Sequence, residues 1–206
     1  MTKRQPDSPK RAIKRLALGT ALIVPLLVFG IVPAAHSSTV QAAHSSVVPA
    51  ASASGLMVED RSHDNDNPDN QLYAHYQIIN NGTTAVPLSS LTMRYWFTNE
   101  APTDPLVFAC DYALVGCSNV TANFVSLSTP VTMANSYLQI GFTAAAGSIA
   151  PGQSSGEIQT RIHHVNWSEF ITTDSYSFIS DESFVYKPTQ TVTLYLNGVL
   201  VWGVEP

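Results

Sequence analysis

From residue 56 to the C-terminus, apolar and polar residues alternate with a period of two, and no stretch carries the three-and-four spacing of an amphipathic helix. Leu72, Ala74, Tyr76 and Ile78 line one such face, and Asn80-Asn81-Gly82 ends the run. Met93, Tyr95 and Phe97 share another face, with Thr92, Arg94, Trp96 and Thr98 opposite them. Further strands are read at residues 120–127, 136–143 and 157–164. The clearest element comes last: residues 191–196, then Asn197-Gly198, then residues 199–202 form a two-residue hairpin of type I′. Pairing across that turn puts Leu196 opposite Val199 and Leu194 opposite Val201. Many short strands between turn residues predict an all-β, antiparallel sandwich. The polar run at residues 60–70 reads as a long solvated loop. It lacks the sixth-position glycine and closing glutamate of a helix-loop-helix calcium loop.

The region before residue 56 reads differently. Lys3, Arg4, Lys10, Arg11, Lys14 and Arg15 form a basic head, and an apolar run over residues 16–35 follows. Residues 1–42 are read as an export signal, with Val40-Gln41-Ala42 as the small-x-small cleavage site. An uncleaved membrane anchor is the alternative, because the apolar run is about long enough to span a bilayer. Residues 43–55 are rich in Ala and Ser and read as linker. Residues 56–206 then form one domain with a core of its own.

That domain holds 4 basic and 14 acidic residues, a formal charge of −10. Such a chain repels nucleic acid and anionic lipid and suits a neutral partner, of which sugars are the obvious class. Its two cysteines, Cys110 and Cys117, favour a disulfide in an exported chain, with two free thiols as the alternative. No second pair completes a zinc shell.

No catalytic constellation is readable. His-Glu-x-x-His and phosphate-loop motifs are absent from the sequence. His163 and His164 are adjacent, so on a strand they point to opposite faces and cannot share a metal. Along residues 157–164, Ile158, Thr160 and Ile162 share one face, and Gln159, Arg161 and His163 share the other. Trp167 follows in a loop. Pyranose rings present apolar C–H faces to aromatic rings and hydroxyl edges to Arg, Gln, Asp and Asn, so this is the region where sugar binding is expected.

Several segments carry a resemblance to one family. They are Ile78-Ile79-Asn80-Asn81-Gly82, Leu91-Thr92-Met93-Arg94-Tyr95-Trp96-Phe97-Thr98, Cys110-Asp111-Tyr112-Ala113 and Gly116-Cys117-Ser118-Asn119-Val120. Ile149-Ala150-Pro151-Gly152, Ile158-Gln159-Thr160-Arg161, Asn166-Trp167-Ser168, Tyr176-Ser177-Phe178 and the ending from Leu196 to Pro206 extend the match. The domain resembles the family 3 carbohydrate-binding modules of bacterial cellulases and cellulosome scaffolds. The resemblance implies a jelly-roll sandwich of about nine strands that adsorbs to crystalline cellulose without catalysis. It implies a binding strip of Asp111, Tyr112, Arg161 and Trp167, in which the Asp–Arg pair stands in for a ring. Polar anchors are implied at Gln159, Asn70 and Ser62.

The match has departures. Only residues 113–118 separate Tyr112 from Asn119, so an extra loop tyrosine of scaffold-type members has no counterpart. Structural calcium is implied at Thr98, Glu100 and Asp174, although Ser175 stands where the family often has Asp. The expected protein is a secreted monomer that acts as a stand-alone accessory to cellulose degradation; a cell-surface adhesion or protein-interaction module using the same fold is the alternative. It would reach a membrane only if the leader stays uncleaved.

Overall fold

The computed structural model describes residues 54–181 and 183–206. The predicted leader and all of the predicted linker except Ser54 and Gly55 lie outside the described residues. Thirteen strands are present among them. In chain order they are β1 Leu56–Arg61, β2 Gln71–Asn80, β3 Val86–Pro87, β4 Leu91–Phe97, β5 Leu106–Ala113, β6 Val120–Val131 and β7 Ala134–Phe142. There follow β8 Ser148–Ile149, β9 Gln153–Ser154, β10 Ile158–His164, β11 Lys187–Pro188, β12 Val192–Leu196 and β13 Val199–Trp202. Nine of them exceed two residues, as the sandwich reading requires.

Two antiparallel sheets carry the fold. The first runs β11-β1-β2-β10-β5, with β9 also paired to β2; the second runs β13-β12-β4-β7-β6. The alternation seen in the sequence decides what lies between them. Leu72, Ala74, Tyr76 and Ile78 of β2 and Ile158 and Ile162 of β10 are buried from one side. Leu91, Met93, Tyr95 and Phe97 of β4, Leu138 and Ile140 of β7, and Val192 and Leu194 of β12 are buried from the other. Polar groups inside this core are largely satisfied. The Tyr76 hydroxyl and Thr160 Oγ1 lie 2.8 Å apart, and Thr160 donates to the Ala74 carbonyl at 3.0 Å.

Two sequence expectations need correction, the extent of the polar loop and the register of the last hairpin. Asp60 and Arg61 belong to β1 rather than to the polar loop, and Asp60 points into the core, 2% exposed. Trp96 is on the outer face of its sheet but is not solvated. Tyr137 covers it at 4.7 Å, and its indole N–H donates to Thr193 at 2.9 Å. In the last hairpin Leu196 does face Val199, and Asn197 and Gly198 both adopt positive φ, as a type I′ turn demands. Beyond the turn the register slips: Tyr195 faces Leu200 and Leu194 faces Trp202, so Val201 is a bulged residue rather than the partner of Leu194.

Cys110 and Cys117 are bonded, with Cα atoms 5.7 Å apart. The bridge closes the end of β5 onto the turn before β6. The Cys110→Ser/Cys117→Ser variant should lose roughly 2–3 kcal/mol of stability, the loop-closure contribution of a short ring. Chemical unfolding of the two proteins gives that difference directly, and equal midpoints would mean the bridge is idle.

Asp60 carries one carboxylate oxygen with no hydrogen-bond partner, and burial drives its pKa well above the usual carboxylate range. A pKa raised in the folded state means that Asp60 stabilises the fold most below its unfolded pKa, and this contribution is lost as pH climbs through the folded value. Asp60→Asn should therefore gain in melting temperature relative to the parent as pH rises above about 4, the ordinary carboxylate range. Parallel melting curves above that pH would exclude an ionisable burden at Asp60.

Candidate functional site

The outward face of β10 is the centre of the site. Its neighbours are β2 on one side and β5 on the other, so Gln159, Arg161 and His163 sit in the middle of a sheet, not at an edge. Gln159 pairs with Tyr112 of β5, but Thr160 pairs with Cys110. Asp111 is thus an extra residue, a β-bulge. The bulge has a direct consequence. Phe108 and Cys110 pack toward the core, and Ala113 is buried again. With one residue inserted between those positions, Asp111 and Tyr112 both face outward, where strict alternation would allow only one of them.

The side chains then lock together. Arg161 Nε donates to Asp111 Oδ2 at 2.6 Å, and Arg161 Nη1 donates to Gln71 Oε1 at 2.8 Å. Two fixed directions hold the guanidinium in place, and the Asp111 carboxylate raises its pKa further. Both members of the pair are about one-third exposed, so the planar assembly remains open to a ligand. Tyr112 is 45% exposed beside it.

Trp167 reaches the same face from a loop. Its backbone adopts φ 60, a left-handed conformation that costs a bulky residue energy and persists only when the surroundings impose it. Those surroundings are visible. Asp104, nearly buried, accepts the Asn166 N–H at 3.3 Å and the Ser168 hydroxyl at 3.0 Å. Buried His164 places Nδ1 3.0 Å from the Ser168 carbonyl, places Nε2 2.9 Å from Asn99 Oδ1, and stacks on Phe170. The turn folds the indole back over β10, where it stacks on His163 with centroids 4.2 Å apart and planes 5° from parallel. Trp167 stays 49% exposed.

The structure therefore brings Asp111, Tyr112, Gln159, Arg161 and Trp167 onto one face. Asn70 stands half-buried at the start of β2. Ser62 is not on that face: it is 4% exposed, and its hydroxyl donates to the Asp64 carbonyl at 2.6 Å. Its position stabilises the turn after β1 and leaves no hydroxyl free for a ligand. Sequence reasoning passed over His163 and Gln71. The alternation of β10 already put His163 beside Arg161; the contact with Gln71 depends on the β2–β10 register, which no local pattern discloses.

A second polar corner lies at the end of β4. Thr98 N–H donates to Ser175 Oγ at 3.4 Å, and the Ile171 N–H donates to Glu100 Oε1 at 3.0 Å. Asp174 closes a short 3-10 turn in the same corner. Burial raises the pKa of Glu100, and the neighbouring charge of Asp174 adds to the effect. Thr98, Glu100 and Asp174 thus offer hard oxygen donors with two mutually repelling carboxylates, the chemistry a calcium ion accepts. Among the described residues no group of three His, Cys, Asp or Glu side chains converges.

Comparison with known proteins places this geometry. A family described as cellulose binding domain matches residues 57–203. Cellulosomal-scaffolding protein B of Acetivibrio thermocellus is 39% identical over 183 residues, which cover 84% of this chain and 23% of that protein. Beta-mannanase/endoglucanase A of Caldicellulosiruptor saccharolyticus is 40% identical over 130 residues, 63% of this chain and 10% of that enzyme. The chain spans between 10% and 21% of the length of four such enzymes. Among solved structures, the CBM3b module of the major scaffoldin subunit ScaA from Acetivibrio cellulolyticus is similar with a TM-score of 0.69 at 34% identity. That match covers 75% of this chain and 99% of the module. With residues 57–203 matched by the family and the fold shared with a solved module at 34% identity, the chain belongs to the family 3 carbohydrate-binding modules, a family that binds cellulose or related polysaccharides without catalysis.

Proposed function

We propose that residues 56–206 adsorb to crystalline cellulose and contribute binding but no chemistry. One observation carries the reading: Tyr112, the Arg161–Asp111 pair and Trp167 lie exposed on the single outward face of the first sheet, with Gln159 beside them. Glucan rings stack on Trp167 and Tyr112, and hydroxyls bond to Asp111, Arg161 and Gln159. Each contact is weak. Their sum is useful because the sheet and the Asp104-anchored turn order them before binding, so little conformational entropy is lost on the surface. The domain's net negative charge is compatible with a neutral polymer. The protein acts outside the cell as a monomer, delivered by its N-terminal leader.

One calcium ion at Thr98, Glu100 and Asp174 completes this reading. Its charge would offset the repulsion between Glu100 and Asp174 and tie the end of β4 to the turn at Thr172–Asp174. It would have no part in sugar contact.

Trp167→Ala should weaken adsorption of the intact chain to microcrystalline cellulose at least about tenfold, the loss expected of a central aromatic anchor. Its melting temperature should stay close to the parent's, since the ring is half-exposed. Insoluble chitin and xylan serve as controls; undiminished retention of a folded Trp167→Ala protein would remove the indole from the site. For calcium, saturating ion should raise the melting temperature over chelator, by about 2.7 kcal/mol of stability at a hundredfold excess over Kd. Glu100→Gln should shrink that difference, and a parent indifferent to chelation would exclude the site.

A further inference from the structure

The planar groups do not end at Arg161. Tyr73 of β2 is the register partner of Arg161, so the two residues stand side by side on neighbouring strands. They are also joined through side chains: Gln71, which accepts from Arg161, donates its Nε2 to the Tyr73 hydroxyl at 2.9 Å. Tyr73 in turn stacks with His63, centroids 4.0 Å apart and planes 20° from parallel. His75 meets both rings edge-on, at 5.0 Å and 6.3 Å, and supports them from within the sheet. The His63 side chain is 44% exposed. Beside the strip lies a second stacked pair of the same make-up as His163 and Trp167, one imidazole and one larger ring; hydrogen bonds join its Tyr73 through Gln71 and Arg161 to Asp111 of the strip.

We propose that Tyr73 and His63 form a second stacking subsite, occupied by the β-1,4-glucan chain lying next to the one on the strip. This rests on the cellulose-binding reading above. The placement suits a neighbouring chain. Tyr73 is one strand away from β10, and His63 follows the end of β1, one strand further, so the pair is offset laterally by roughly 5–10 Å. An isolated glucan chain over Trp167 and Arg161 leaves this pair bare; a crystal face with parallel chains covers it. A purely structural pair would be expected under cover, whereas His63 stands in solvent.

Adsorption isotherms of the intact chain on crystalline and on amorphous cellulose test the subsite, with Tyr73→Ser, His63→Ala, Tyr73→Phe and Trp167→Ala compared at equal foldedness by melting temperature. On crystalline cellulose Tyr73→Ser and His63→Ala should bind roughly three- to tenfold more weakly, the value of one aromatic contact. Tyr73→Phe, which keeps the ring, should stay near the parent. On amorphous cellulose, where chains are not aligned side by side, the same variants should match the parent. Parent-like binding by Tyr73→Ser and His63→Ala on crystalline cellulose, with Trp167→Ala impaired, would overturn the subsite and leave the strip intact. A loss in Tyr73→Phe equal to that in Tyr73→Ser would also overturn it, since the hydroxyl would then act only by positioning Gln71 and Arg161. Equal losses on both substrates would exclude a neighbouring chain. Failure of the parent itself to adsorb would refute the cellulose-binding reading, a result separable from all of these.

Discussion

β10 lies hydrogen-bonded between β2 and β5, and both the core and the site hang on its alternation. Ile158, Thr160, Ile162 and His164 point inward and are buried; Gln159, Arg161 and His163 point outward. A sheet interior gives the outward residues a flat, rigid base, because each strand is fixed from both sides and no edge is free to twist away. Flatness is the property a planar, insoluble ligand requires, and it is set by backbone pairing before any ligand is present.

Two local departures from regular structure convert this sheet face into a strip. The bulge at Asp111 turns two consecutive residues outward and places a carboxylate against Arg161. The left-handed backbone at Trp167 turns a loop back over His163. Each departure forgoes regular pairing or imposes strain, and each is held by nearby bonds. The Cys110–Cys117 bridge closes the segment that contains Asp111 and Tyr112. Asp104, with His164 behind it, fixes the turn that contains Trp167. Stability is thus invested beside the binding residues, which themselves stay open to solvent.

The second sheet shows what an outward aromatic cluster looks like when it is mostly closed. Arg94 lies over Tyr137 and Tyr195, at 4.6 Å and 4.3 Å from their ring centres, and bonds to Glu205 at 3.1 Å. Trp96 and Tyr195 are only 5% exposed there. The same residue types therefore serve packing on one face and recognition on the other, and exposure rather than composition separates the two.

Much of this was legible in the sequence. Period-two alternation determined the class of fold, the inward faces of β2, β4 and β10, and the side-sharing of Gln159, Arg161 and His163, because side-chain direction along a strand is a local property. Asn197-Gly198 fixed the last turn for the same reason. The resemblance supplied Asp111, Tyr112 and Trp167 as strip residues, but not why they could share a face. β1 and β5 escaped the pattern: β1 runs into a polar loop and carries a buried Asp60, and β5 is a nearly unbroken apolar run interrupted by its bulge. Ser62 carries an anchoring residue type, yet its turn buries it. Only tertiary structure decided these points, together with the Arg161–Gln71–Tyr73 connection and the stacking of His63 on Tyr73. They depend on register between strands far apart in the chain, and register is chosen by the packing of the whole core rather than by any segment alone.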